Sequence, residues 1–341
     1  MTLAELEDRW ERELAGEPVT VVLPESGDPR VIAAAARLAH LEGVIPMLVG
    51  NPTDVSRVAG EAGVGLPAGL SIVEPEDLLA EAGVRSALEG TVLSHGSGDP
   101  GSAALESDPL YVAAAAVAAG YAGAAVAGAT RPSGEVIRAG IRVIGLAAGS
   151  RWVTSCFLMV MPDGRAFCFG DCAVIPEPDA AQLAEVASAS AATFEVLTGE
   201  AARVAFLSFS TKGSAVHPRV EVVRSATRLA AERLEGVVFD GELQADAALA
   251  PGVAAIKAPG SPVAGLANVL VFPDLGSGNI AYKLAERLAG ARAIGPVIQG
   301  LAGSMHDLSR GAGVEEVVSM VRVAAVLARR RVPALAAGAG S

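Results

Sequence analysis

Aromatic side chains are scarce in this sequence: they make up 4% of its 341 residues, while apolar residues as a whole reach 51%. The cores must therefore be built from Ala, Val, Leu and Ile. That palette suits parallel strands covered by Ala-rich helices and argues against a β-sandwich. Lysine is equally rare, with only Lys212, Lys257 and Lys283, so positive charge rests almost wholly on arginine. The formal net charge of −12 argues against nucleic acid or an anionic membrane as the main partner. A phosphate-bearing ligand is still compatible, because it needs only local positive charge. No uninterrupted apolar run reaches the ~18 residues of a membrane span. The opening MTLAELEDRWEREL reads as an amphipathic acidic helix, not as a secretory leader, and a cytoplasmic location is expected. Cysteine is limited to Cys156, Cys168 and Cys172, with no histidine near enough to complete a metal site. Free buried thiols are expected, and no metal.

What is present is a strand–helix alternation over a length that suits two domains. Apolar runs at Val19 to Glu25, Val44 to Gly50, Leu70 to Glu74 and Ala122 to Ala129 read as strands. They alternate with helical stretches from Asp28 to Gly43, Pro52 to Gly63 and Asp108 to Gly120. This order predicts a mainly parallel sheet with helices on both faces. Residues 89 to 107, rich in Gly, Ser, Asp and Pro, read as a surface loop or lid. Near Arg151 the texture changes: WVTSCFLMVM and RAFCFGDCAV flank a PDG turn and predict an antiparallel hairpin. Alternation then resumes through ARVAFLSFS, GVVFDGE, NVLVFPD and ARAIGPVIQ, and a last helix is expected from Val314 to Ala328. The division that follows is residues 1–148 with 300–341 as one α/β domain and 149–299 as a second.

Four loops combine glycine, hydroxyl and charge. In FLSFSTKGSA, Ser210, Thr211 and Lys212 follow a strand; free amides and hydroxyls beside a lysine suit a phosphate, though an ordinary polar turn looks the same. In FPDLGSGNIAYK, Asn279 opens a helix with Lys283 one turn further on, which also fits a plain helix cap. In QGLAGSMHDLSRGAGVEE, Ser309 and Arg310 precede a helix starting near Gly313, where a guanidinium fork would meet an anion site. Glu315 and Glu316 lie in the first turn of that helix, where a carboxylate also serves simply to offset the dipole. In GATRPSGEVIRAGIRVIG, Arg138 and Arg142 sit one helical turn apart, a spacing equally usual on a solvated face.

Together these loops, with DGELQADAAL and the run from SPVAG to VIQGL, resemble the phosphate acetyltransferase family, within the wider phosphate acetyl/butyryltransferases. The likeness runs in order from LPESGDPR at Leu23 to the C-terminal helix. It implies two α/β domains of the isocitrate/isopropylmalate dehydrogenase-like type, with an active-site cleft between them. It further implies a homodimer, coenzyme A and acyl phosphate as substrates, and no cofactor. The implied reaction is acetyl-CoA + phosphate = acetyl phosphate + CoA, by direct thiolate attack in a ternary complex. Other short-chain acyl groups, or a coenzyme A-binding pseudoenzyme, are the alternatives. By the same resemblance Arg310 holds the phosphate and Ser309 supports the charged transition state. Glu316 stands where the family carries the aspartate proposed to take the thiol proton. Arg138 contacts coenzyme A or phosphate, and Ser210, Thr211, Lys212, Asn279 and Lys283 complete the substrate site. The sequence departs from the family at several points: Val92 to Gly96 replaces a basic segment, Leu266 a basic residue, and AGSMH brings in His306. Arg85, several residues upstream of that segment, is a candidate to stand in for its missing arginine.

Overall fold

The computed structural model describes residues 1–94, 105–234 and 236–330. In chain order its strands are β1 (Val19–Leu23), β2 (Val44–Val49), β3 (Ser71–Val73), β4 (Ala124–Ala127), β5 (Thr154–Val160), β6 (Ala166–Gly170), β7 (Arg203–Leu207), β8 (Val238–Leu243), β9 (Val269–Val271), β10 (Arg292–Gln299) and β11 (Ser304–Asp307). They form two sheets and the chain divides into two compact units. One unit comprises Asp8–Ala147 and the chain from Leu301 into the C-terminal helix. The other comprises Ala148–Gly300, with Met1–Glu7 joined to it.

The first unit carries a five-stranded, wholly parallel sheet in the order β11-β4-β1-β2-β3. β1 lies at its centre, and Val21, Val22 and Leu23 are all inaccessible to solvent. A strand covered on both faces needs an unbroken apolar run, and VTVVL supplies one. The following helix, Pro29–Leu38, starts where Asp28 accepts the Arg30 N–H at 2.8 Å and Pro29 presets the first helical φ. The helix Pro109–Ala118 is capped in the same way by Asp108, and its Ala113 to Ala116 are fully buried. Alanine on every face lets sheet and neighbouring helices approach the backbone closely. The C-terminal helix Val314–Arg330 packs on the Pro29–Leu38 helix, on β4 and on β11. It also holds the N-terminal helix Leu3–Leu14 through the ion pairs Arg322–Glu11 and Arg330–Glu13.

The second unit carries a six-stranded mixed sheet in the order β10-β5-β6-β9-β7-β8. β5 and β6 form the expected antiparallel hairpin around Pro162, Asp163 and Gly164, with Gly164 at φ +85° where the reversal demands it. β10 adds antiparallel to β5, while β6, β9, β7 and β8 run parallel. All three cysteines are free and buried here.

Four sequence expectations need correction. Residues 89–94 belong to the helix Ala82–Ser94 and not to a loop, residues 95–104 of the expected lid lie outside the described residues, and at its end 105–106 are helical and 107 is a turn. The segment before Ser309 is not a loop: Ser304–Asp307 is β11, paired residue for residue with β4. The 19-residue helix Ala180–Thr198 covers a stretch for which no element was expected. Arg138 and Arg142 do not share one regular α-helical face. The helix Ser133–Ala139 passes into a π turn over Gly140–Ile144, where Gly140 packs so closely that a Cβ would lie 2.8 Å from Leu301 Cδ1.

Candidate active site

In the first unit the chain leaves β1 toward β2 and β3 on one side, then returns to place β4 and β11 on the other. In an open α/β sheet the reversal opens a crevice beyond the carboxyl ends of the two strands at the switch, here β1 and β4. The loops there are built around buried charge. The Glu25 carboxylate accepts the Ala129 N–H at 2.7 Å, the Thr130 N–H at 2.8 Å, the Thr130 hydroxyl at 2.7 Å and the Arg131 N–H at 2.8 Å. It thereby fixes the loop after β4. Gly128, at the start of that loop, has φ +103°, and a Cβ there would sit 2.1 Å from Asp307 Oδ1. Only glycine fits.

The turn Ser309–Gly313 follows β11 directly and leads into the C-terminal helix. Both Ser309 and Arg310 are exposed. The Arg310 guanidinium has no hydrogen bond or ion pair among the described residues, so its fork is available to an anion. Glu316 turns back along its helix: Oε2 accepts the Gly313 N–H at 2.7 Å, the return half of a capping box. Its neighbour Glu315 pairs instead with Arg37 on the Pro29–Leu38 helix. Arg138 is exposed on the helix Ser133–Ala139, which packs against β11, and its guanidinium too is unpaired among the described residues. Arg85 is likewise exposed and unpaired on the Ala82–Ser94 helix.

Two buried titratable groups lie behind this turn. His306 is only 3% exposed, and its Nε2 lies 2.8 Å from the Ser304 hydroxyl. That hydroxyl donates to the Ala324 carbonyl at 3.1 Å, so the imidazole is a core group of β11 and not a loop residue. Asp307 is completely buried, and neither carboxylate oxygen makes a well-formed hydrogen bond among the described residues. Burial pushes its pKa up to about 7; the Ser133 hydroxyl and the Leu308 N–H oppose that rise weakly, and the negative charge of Glu25 adds to it.

In the second unit the remaining candidates stand at the carboxyl ends of β7 and β9, which are neighbours in the sheet. The loop after β7 is closed on itself. Ser210 and Thr211 are buried, and their hydroxyls bond Glu242 at 2.9 Å and Gln244 at 3.2 Å. The amides of Lys212 and Gly213 donate to Glu242, and those of Thr211 and Ala215 donate to the Ser214 and Ser210 hydroxyls. The expected nest of free amides is therefore absent: this loop satisfies itself around a buried carboxylate. Lys212, at φ +47°, projects from it with its ammonium on Asp240 and the Gly241 carbonyl. Burial alone would raise the Glu242 pKa, but hydrogen bonds from Arg224, the Gly213 N–H and the Ser210 hydroxyl hold it down to about 2.

The Asn279 helix starts earlier than expected. Asp274 is its N-cap, accepting the Ser277 N–H at 2.8 Å, so Asn279 lies inside the helix and not at its opening. Gly278 is required by packing: a Cβ there would lie 2.6 Å from the Asp171 carbonyl oxygen. Asn279 donates to the Cys172 carbonyl at 3.1 Å and accepts from Lys283 at 2.7 Å. Lys283 also reaches the Tyr282 hydroxyl at 2.9 Å. Sequence reasoning missed Glu25, Arg30, Asp307, Glu242 and Arg224, all of which organise these loops. The LPESGDPR, DGELQAD and DLSRG strings that contain the acids and Arg30 were visible only as motifs.

An open parallel sheet whose switch point presents an unpaired arginine beside a helix N-terminus defines a class of protein: an α/β anion binder suited to phosphate-bearing substrates. The comparisons with known proteins narrow it. Residues 6–325 match the phosphate acetyl/butaryl transferase family. The sequence is 41% identical over 317 residues to the phosphate acetyltransferase of Thermoanaerobacterium thermosaccharolyticum, covering 91% of this chain and 95% of that protein. The fold is similar to the EutD phosphotransacetylase from Staphylococcus aureus, with a TM-score of 0.87, 37% identity, and 96% of this chain and 99% of that one covered. A likeness in fold alone extends to 4-hydroxythreonine-4-phosphate dehydrogenase from Klebsiella pneumoniae, at a TM-score of 0.53 and 11% identity, with 92% of this chain and all of that one covered. This agrees with the dehydrogenase-like architecture expected from the sequence. The chain belongs to the phosphate acetyl/butaryl transferase family. Among the described residues no helix is long and apolar enough to cross a membrane, and no group of His, Cys, Asp and Glu is arranged to hold a metal ion.

Proposed function

We propose that this chain is a phosphate acetyltransferase, catalysing acetyl-CoA + phosphate = acetyl phosphate + CoA without a cofactor. The observation that carries the proposal is the exposed, unpaired Arg310 guanidinium at the switch point, next to the N-terminus of the helix Val314–Arg330. In the direction of thioester formation, the coenzyme A thiolate attacks the acetyl carbonyl carbon. A carbon–sulfur bond forms, the carbon–oxygen bond to phosphorus breaks, and phosphate leaves with the electron pair. Arg310 forks onto the phosphate, and Ser309 donates to the oxygen on which charge develops. Arg138, with Arg85 in place of the family's basic segment, meets the phosphates of coenzyme A.

A thiol with a pKa near ~8.5 is mostly protonated at neutral pH, so a base is required. Glu316 takes that proton, in competition with its bond to the Gly313 N–H. From the second unit Lys212, Asn279 and Lys283 serve substrate, while Ser210 and Thr211 act through the rigidity of their loop. The enzyme works as a homodimer in the cytoplasm. Because acetyl phosphate already has a good leaving group, holding the two substrates together supplies most of the acceleration.

The test is thioester formation from coenzyme A with acetyl, propionyl and butyryl phosphate in parallel. Acetyl phosphate is expected to give the highest kcat/KM. A higher value for butyryl phosphate would reassign the acyl group, and coenzyme A binding without turnover of any of them would make the chain a pseudoenzyme.

A further inference from the structure

We propose that Arg30 is a positioning residue for the transfer reaction, setting the geometry of the Ser309–Arg310 turn without touching substrate; this rests on the reading of Arg310 as the phosphate-binding group. Every one of its donors is occupied. Nε and one Nη2 bond reach Asp28, at 3.0 and 2.7 Å; Nη2 also reaches the Ala129 carbonyl at 2.9 Å. Nη1 reaches the carbonyls of Arg310 and Ala312, each at 2.8 Å. A guanidinium has five N–H donors, and these five bonds leave none for a ligand. Arg310 is the reverse case, with its backbone carbonyl held and its side chain free. The two arginines therefore divide the work: one binds the anion and the other aims it.

The bonds of Arg30 join three separate loops. Asp28 follows β1, Ala129 follows β4, and Arg310 and Ala312 follow β11. These are the strands on either side of the switch point together with the next one out. The two carbonyls on β11's loop bracket Gly311, so Arg30 clamps the turn at Arg310 itself and two residues beyond it. Within the turn the Ala312 N–H donates to the Ser309 carbonyl at 2.8 Å; among the described residues Arg30 is the side chain that ties the Arg310 and Ala312 carbonyls to the loops after β1 and β4. Lysine cannot reproduce the arrangement: it has three donors on one atom in place of a planar fork.

The experiment compares Arg30→Lys and Arg30→Ala with Arg310→Ala as the control, measuring kcat and both KM values and following thermal unfolding of each variant. A misplacement of ~1 Å costs on the order of a hundredfold in rate. Arg30→Lys, which keeps the charge and the pairing with Asp28, is therefore expected to lower kcat/KM for phosphate by roughly 30- to 100-fold. The KM for coenzyme A should stay within about threefold of wild type, and added guanidinium ion should restore part of the activity of Arg30→Ala. A role confined to stability would lower the unfolding temperature, raise neither KM selectively and show no guanidinium rescue. That pattern, or a kcat/KM for phosphate within about threefold of wild type in Arg30→Lys, overturns the inference. If Arg30→Ala does not fold, Arg30→Lys alone decides. Should Arg310→Ala keep the wild-type dependence on phosphate, the fault lies with the reading of Arg310 and not with Arg30.

Discussion

Replacing Arg310 by Ala is expected to reduce kcat/KM for phosphate by about 10²- to 10³-fold, the scale of losing one preorganised donor to a developing charge. The loss should fall on the phosphate side of the reaction, leaving the KM for coenzyme A close to wild type. Arg310→Lys should recover only part of it, because an ammonium supplies the charge but not the bidentate geometry. The reasoning is structural. Arg310 is exposed, and among the described residues its guanidinium has no hydrogen-bond or ion-pair partner, so its removal breaks no such bond there and should leave the unfolding temperature nearly unchanged. Steady-state kinetics with phosphate varied at saturating acetyl-CoA make the comparison. Unchanged kinetics would mean that the anion is held elsewhere.

The largest effect on stability is expected at Glu242. Its carboxylate is 3% exposed and gathers Ser210, Gly213 and both arms of Arg224. Glu242→Ala would leave the Arg224 charge, an N–H and a hydroxyl without their acceptor, and breaking a buried pair in this way costs roughly 3–5 kcal/mol. The same group sets a pH dependence. Its folded pKa, about 2, lies below the ordinary value of 4.5, so its contribution is present above pH 4.5 and is lost as pH falls toward 2. The shift corresponds to about 3 kcal/mol. Asp307 runs the other way. Its folded pKa of about 7 lies above the ordinary 3.8, so the stability it contributes is present below pH 3.8 and fades as pH rises to 7. Denaturant titrations of wild type and Glu242→Ala at several pH values measure this directly. The difference between the two proteins should shrink as pH drops from 5 toward 2; a difference that stays constant would show that the carboxylate is not held ionised by its partners.

Much of the fold was legible because its signals are local and periodic. β1, β2 and the helices behind Asp28 and Asp108 announce themselves by apolar runs and by Asp–Pro starts. The hairpin at Pro162–Gly164 follows from turn chemistry. The helix Ala180–Thr198 was missed although Asp179 and Gln182 make a full capping box and Gly199 closes it in the left-handed region. Its alanines and serines give no apolar stripe, since nearly every face is buried. β11 was missed because SMHD contains a histidine and an acid, and only its pairing beside β4 makes them core residues.

The sequence singled out Ser309, Arg310 and Arg138 as exposed polar groups, and all three lie at the surface. The site was not legible where a charge works inward. Glu25, Arg30 and Glu242 each bond backbone groups of loops far off in sequence, and no spacing rule encodes such contacts. Ser210 and Thr211 show the same limit from the other side. Hydroxyls beside glycine and lysine suit a phosphate by composition, yet they are turned onto Glu242 and Gln244.

Direct transfer between two bound substrates requires that the acyl group never rest on the protein. Incubating the enzyme with acetyl phosphate and radiolabelled inorganic phosphate, with coenzyme A rigorously removed, tests this most directly. No label should enter acetyl phosphate until coenzyme A is added, and exchange should then begin at a rate comparable with turnover. Rapid exchange in the absence of coenzyme A would reveal an acyl-enzyme and contradict the account.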